Sequence, residues 1–276
     1  MSASSETTEV HMLYVGSTDG TTTAATYQLH VVSRRIPKVE YDVDVRGSML
    51  YIQTNHNAPN YRVMIAPMMA LAGNVEDAAE RWQQLECVLP DVCLEAFGPS
   101  ETVTVRMLRV FSHHLVVEGR EGGVSRVWIL SLTEEDRVES IHEVVVPVTS
   151  TDGKQGNSPG SLSLDVQQNV DADFVRLIHS SLTSPERLFE YVWPTTSAVA
   201  TNGANDSYSK DRELRVVKAT RVPGFNAHDY RSWRLWAPAA TNSDVLIPVS
   251  CVQRRRPAVD SPGPILLYGY GSYGEF

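Results

Sequence analysis

HLVVEGREGGVSRVWILSL, His114 to Leu132, consists of two apolar-rich runs on either side of a Gly-Gly pair. β-Branched and aromatic residues fill the flanks and glycines supply the turn, so the stretch predicts a β-hairpin. The same plan appears in MLYIQTNHNAPNYRVMIAPM from Met49 and in FVRLIHSSLTSPERLFEYVW from Phe174. The three hairpins recur roughly every 60 to 65 residues, which leaves room for two more strands between one and the next and suits four-stranded propeller blades with long loops. Alternation supports strands: in RLFEYVW, Leu188, Glu190 and Val192 would face one way and Arg187, Phe189, Tyr191 and Trp193 the other. A helical period is weak and confined to NVEDAAERWQQLE, Asn74 to Glu86, which is either one short helix or a loop entering the next strand.

Outside the hairpins the chain is polar. TSTDGKQGNSPGS from Thr149 and TSAVATNGANDSYSKD from Thr196 bury too little apolar area to offset their ordering entropy, and predict mobile surface loops. After Val222-Pro223-Gly224-Phe225 the character changes: YRSWRLWAP and VLIPVSCVQR form another strand pair, AVDSPG a turn, and PILLYGYG a compact strand buried on both faces. A domain boundary is expected near Pro223.

Size and charge narrow the function classes. With 276 residues the chain can bury a sizeable core. Its 33 acidic and 24 basic residues give a net charge of −9, with no basic block beyond Arg254-Arg255-Arg256, which argues against a nucleic-acid partner. Cys87, Cys93 and Cys251 form no CxxC pair and predict buried thiols of a reducing compartment. No stretch is apolar enough to span a membrane and the first residues lack a secretory pattern, so a soluble, cytoplasmic protein is expected.

Isolated motifs carry little chemistry. Gly269, Gly271 and Gly274 mimic a dinucleotide fingerprint, but that site needs a helix starting in the turn and an acidic residue about 20 positions on, and the 276 residues supply neither. Gly156-Asn157-Ser158-Pro159-Gly160 matches the spacing of a nucleophile elbow, yet a polar stretch precedes it and the alternating SLSLDV follows, so Ser158 is not assigned as a nucleophile. His113 and His114 are neighbours on a strand and point to opposite faces, so they do not share a metal. LTEEDRVESIHE, Leu132 to Glu143, most simply solvates a turn. No metal or cofactor site is expected.

The ordered set says more than any one motif. FVRLIHSSLTSPERLFEY, RVVKATRVPGFNAHDYRSWRLWAPA, LIPVSCV and PILLYGYGSYG together closely resemble the prolyl oligopeptidase family of serine peptidases, and within it oligopeptidase B. The resemblance implies a mostly β chain: later blades of a seven-bladed propeller over residues 1–222, then the first strands of an α/β-hydrolase domain over 223–276. It implies hydrolysis of short peptides after Arg or Lys by a Ser, Asp and His triad. The family's triad lies downstream of the glycine-rich turn, so the chain as given is expected to be inactive alone. Tyr270 matches the tyrosine that donates its hydroxyl to the oxyanion. The rival expectation is a non-enzymatic propeller serving as an interaction scaffold. The oligomeric state is left open.

Overall fold

The computed structural model describes residues 6–17, 25–68, 82–84, 102–146, 160–165, 169–193, 213–255 and 263–269. Nearly all regular structure in them is antiparallel β. Strands β1 (His11–Ser17) and β2 (Ala25–Val31) form a two-stranded sheet. Three four-stranded sheets follow, each a simple meander in chain order. The first holds β3 (Tyr41–Arg46), β4 (Met49–Thr54), β5 (Arg62–Pro67) and β6 (Gln83–Gln84). The second holds β7 (Val103–Val110), β8 (His114–Glu121), β9 (Val124–Leu132) and β10 (Val138–Glu143). The third holds β11 (Gly160–Leu164), β12 (Phe174–Ser181), β13 (Ser184–Val192) and β14 (Glu213–Ala219).

Each hairpin expected from sequence is the middle pair of one of these sheets: β4–β5, β8–β9 and β12–β13. Glu121 pairs with Val124 across a two-residue turn, and Gly122 and Gly123 both take positive φ, 53° and 74°. That conformation matches the right-handed twist of the flanking strands and is open to glycine at little cost. The segment Asn74–Glu86 is described only at residues 82–84, where Gln83 and Gln84 pair with Ile65 and Met64, so that part is a strand rather than a helix. Gly160 and Ser161, at the end of the first polar stretch, already belong to β11; the rest of that stretch up to Pro159, and the second polar stretch, lie outside the described residues.

The sheets stack face to face, so the central strands of the first and second sheets are covered on both sides. Tyr51, Val63 and Ile65 of the first sheet pack against Val105, Leu115, Val117 and Leu130 of the second. Val116, Val127 and Ile129 on the other face of the second sheet pack against Leu177, Phe189, Tyr191 and Trp193 of the third. Leu50, Ile52 and Met64 meet Val32 and Trp82 on the side of β1 and β2. Two-sided burial explains the continuous apolar runs Leu50-Tyr51-Ile52 and Leu115-Val116-Val117: neither face is wet, so polar alternation is lost. Where one face is partly open, in β13, Phe189 and Tyr191 are buried and Leu188, Glu190 and Val192 are only partly so, as the alternation predicts.

The strand pair expected after Pro223 is present as β15 (Tyr230–Pro238) and β16 (Leu246–Arg254), in register from Tyr230↔Arg254 to Pro238↔Leu246. A 3₁₀ turn at Ala227–Asp229, capped by the Asn226 side chain accepting from the His228 N–H at 3.1 Å, leads into it. One expectation fails. Residues 263–269, expected to form a strand buried on both faces, have no strand partner, and Ile265, Leu266, Leu267 and Tyr268 are 83–93% exposed. A strand is buried only where neighbours cover it, and among the described residues no element lies against this one. Among the described residues no helix is long and apolar enough to cross a membrane.

Candidate functional site

In a meander the turns alternate between the two ends of the sheets, so the stack has two chemically distinct faces. Tyr270, the expected oxyanion donor, lies outside the described residues, as does Ser158. The structure does place the hairpin that leads towards Tyr270. It sits on the turns that join the second and third strands of adjacent sheets. Arg234 of β15 donates from Nη1 to the Gly123 carbonyl at 2.8 Å. Pro248 of β16 packs so close to Gly123 that a Cβ there would stand 3.3 Å from Pro248 Cγ. Thr183, in the β12–β13 turn, brings its hydroxyl within 3.4 Å of that of Ser232.

Charge gathers beneath this hairpin. Glu118 and Arg120 of β8 share the strand face of Val116, which packs against the third sheet. Glu118 accepts a hydrogen bond from the Leu164 N–H at 2.8 Å, but burial outweighs it and raises the carboxyl above its ordinary value. Burial, followed by repulsion from Arg106 and Arg234, lowers the Arg120 guanidinium. No single residue in the sequence advertised these charges, because they come from β7, β8 and a hairpin more than a hundred positions away.

The opposite face is bound by a polar latch across the sheets. Arg46, at the end of β3, donates to Asp136 Oδ1 at 2.5 Å and from Nε to the Ser112 carbonyl at 2.7 Å. The Tyr51 hydroxyl donates to the same Asp136 oxygen at 2.7 Å. Burial, then the bond to Asp136, raises the Tyr51 phenol well above its ordinary value, which keeps it a donor. Ser112 continues the chain of contacts to Asp171, between β11 and β12 of the third sheet. The run LTEEDRVESIHE therefore does more than solvate a turn: its Glu134 is exposed, but its Asp136, at φ 60°, turns inward to meet Arg46. His113 is mostly exposed while His114 stacks on Trp193, on opposite sides of the strand as expected. Among the described residues no group of three or more His, Cys, Asp or Glu side chains is arranged to hold a metal. Cys251 is a free, partly buried thiol; Cys87 and Cys93 lie outside the described residues.

Three comparisons bear on this arrangement. Among curated proteins the chain is similar to dipeptidyl aminopeptidase BI of Pseudoxanthomonas mexicana, 27% identical over 88% of this chain and 27% of that protein. It is also similar to protease 2 of Moraxella lacunata, 25% identical over 99% of this chain and 31% of that protein. The chain thus spans less than a third of the length of these relatives. Among solved structures it superposes on oligopeptidase B from Trypanosoma brucei with covalently bound antipain, with a TM-score of 0.69 at 23% identity, covering 98% of this chain and 32% of that one. Oligopeptidase B from Leishmania major gives 0.65 at 24% identity, over 94% and 30%. At such identities the superpositions establish the fold alone. Residues 1–201 match the N-terminal β-propeller domain of prolyl oligopeptidase, and with that span the chain belongs to the prolyl oligopeptidase family.

Proposed function

We propose that this chain forms later blades of a seven-bladed propeller, over residues 1–222, and the opening strands of an α/β-hydrolase domain, over 223–276, of an oligopeptidase B-like serine peptidase of the cytoplasm that cleaves short peptides after Arg or Lys. The observation that carries the reading is the seating of the β15–β16 hairpin on the Gly123 and Thr183 turns, just beyond the span that matches the family's propeller. In this reading the hairpin is the start of the second unit, and a peptide would be enclosed between that unit and one end of the blades.

Tyr270 is the oxyanion donor in this reading. A hydroxyl held in place before charge develops stabilises the tetrahedral oxyanion, and one such donor is typically worth about 3 kcal/mol in the transition state. No cofactor, metal or nucleic acid takes part. The 276 residues by themselves contain no assigned nucleophile and base, and a donor without them has nothing to stabilise.

The test is kinetic. The purified 276-residue chain should not turn over fluorogenic peptides ending in Arg or Lys. In the complete enzyme, Tyr270→Phe should lower kcat roughly 100-fold with KM little changed, as expected for an interaction made only in the transition state. Turnover by the 276-residue chain that survives a Ser158→Ala change, or a complete enzyme indifferent to Arg and Lys, would overturn the reading.

A further inference from the structure

Alternate residues at the end of β13 turn aromatic rings into the cleft between the second and third sheets: Phe189, Tyr191 and then Trp193, all 2–7% exposed. Each ring carries an imidazole. His179 of β12, itself only 7% exposed, meets Phe189 edge-on with centroids 6.5 Å apart. His142 of β10 lies against Tyr191 at 5.8 Å, and His114 of β8 stacks on Trp193. Charged groups surround this ladder. Arg187 stands directly opposite His179 on β13, and Glu118 and Arg120 line the β8 side of the cleft. His113 precedes His114; Asp171, bound to Ser112, and Asp173, whose carbonyl accepts from the Trp193 N–H, lie just before β12. Beside His142, Glu143 pairs with Arg126 on the far face of the second sheet.

We propose that this ladder is an acid-sensitive joint: on acidification the third sheet separates from the second, while the first and second sheets stay packed. A proton on His114 or His179 puts a cation among apolar rings and, for His179, near the Arg187 guanidinium. Attraction of an imidazolium to the Trp193 face offsets part of this cost without removing it, since the net effect of the fold on His114 is downward. Burial lowers both imidazoles, so the joint is at full strength above about pH 6.5 and weakens as the pH falls towards their folded values. Acid also acts on Glu118, raised by burial: once protonated it loses the charge that strengthens its bond from the Leu164 N–H across the cleft. The contacts between the first and second sheets use other donors. Arg46 and Tyr51 converge on Asp136 and the Gln53 amide donates to the Val105 carbonyl, and a guanidinium, a phenol and an amide carry the same protons at pH 5 as at pH 7. The β15–β16 hairpin bridges the joint, with Arg234 on the Gly123 turn of the second sheet and Ser232 on the Thr183 turn of the third, so opening breaks one of these contacts. The joint stands on the ring contacts between the sheets and does not depend on the peptidase reading.

Hydrogen exchange of the 276-residue chain tests the joint, read by mass spectrometry as protection factors so that the intrinsic pH dependence of exchange cancels. Between pH 7 and pH 5, protection in β12 and β13 should fall at least roughly 20-fold, the change that one imidazole moved from 6.5 to about 4 produces by linkage. Protection in β4 and β5 of the first sheet should hold. His114→Phe keeps a flat ring on Trp193 and should remove most of the fall; His113→Gln, at a mostly exposed position, should leave it nearly unchanged. A fall confined to β12 and β13 and relieved by His114→Phe supports the joint, and if that variant does not fold, the comparison between sheets in the native chain decides alone. An equal loss in β4 and β5, no loss in β12 and β13, or the same fall in a folded His114→Phe variant would overturn it.

Discussion

The His114 imidazole lies flat on the Trp193 indole, with ring centroids 4.3 Å apart and planes 10° from parallel. The pair joins the first residue of β8 to the residue that follows β13, and so ties the second sheet to the third. Trp193 is fixed in turn by its Nε1–H, which donates to the Ala172 carbonyl at 2.8 Å, and by Phe111, whose ring centroid is 5.4 Å away.

That stacking makes stability depend on pH. Burial, with a smaller contribution from the charge of His113, pulls His114 down to about 4 from an ordinary 6.5. The folded protein therefore favours neutral imidazole, while the unfolded chain takes up a proton near 6.5. Stability from this group is fully present above pH 6.5 and is lost as the pH falls towards 4, by an amount on the order of 2 to 3 kcal/mol. His179, buried in the same interface and also lowered by burial, adds a slope of the same sign. His114→Phe keeps a flat ring on Trp193 and removes one of the two slopes. Urea denaturation of both proteins between pH 4 and 7 should give profiles that converge at pH 7 and separate on acidification; parallel profiles would mean that His114 is not held neutral.

The Arg46–Asp136 pair should matter more to stability than a surface ion pair. Its side chains are only 12% and 16% exposed, and Asp136 also accepts from Tyr51. Exposed pairs contribute about 0 to 1 kcal/mol, whereas removing one partner of a buried pair leaves a charge without compensation and costs about 3 to 5. Asp136→Asn is the informative change, because asparagine tolerates the φ of 60° and still offers an oxygen to Tyr51. Since the pair is not fully enclosed, the loss should be about 2 to 3 kcal/mol in chemical denaturation, against less than 1 for Glu134→Gln in the same turn. Equal effects would reduce the latch to a surface contact.

Gly119 tests how tightly β7 and β8 approach. A Cβ built there would stand 2.5 Å from the Thr104 carbonyl oxygen and 3.0 Å from the Trp128 ring. The first contact is with backbone in a paired strand, which cannot swing aside as a side chain can. Gly119→Ala should therefore destabilise by about 1 to 3 kcal/mol, the usual cost of overpacking. Gly47→Ala is the control: it meets no atom within 4 Å and bears only the strain of a φ of 55°. Thermal melting should place Gly119→Ala clearly below Gly47→Ala.

What was legible in the sequence was what local chemistry dictates. Gly122-Gly123 announces a tight turn, and the apolar flanks on each side announce buried strands, so the middle hairpin of each four-stranded sheet could be read directly. β6 could not, because Gln83-Gln84 carries no β pattern and pairs only because Met64 and Ile65 offer a free edge. Asp136 was hidden in an acidic run whose other members are solvated, and Arg46, its partner, is 90 positions away. The contact of Arg234 with the Gly123 carbonyl was invisible for the same reason, since it exists only once β15 folds back on the Gly123 turn. Ile265 to Tyr268 show the opposite error. Their composition promises burial, but burial depends on what surrounds a strand as well as on its own residues.

That segment has a consequence for the isolated chain. Ile265, Leu266, Leu267 and Tyr268 form a run that is 83–93% exposed, adjoining a hairpin whose Leu235, Trp236, Leu246 and Ile247 are about half exposed. An apolar run this exposed invites pairing with a second copy, and contiguous apolar surface adds a driving force for association. The 276-residue chain should therefore self-associate in a concentration-dependent way. Leu266→Glu combined with Ile265→Ser places a charge in the run without touching the three packed sheets, so it should leave the thermal melting unchanged while shifting the mass seen by light scattering towards the 30.6 kDa of a single chain. A native chain that is already a monodisperse monomer at high concentration would show that the exposed run does not drive association.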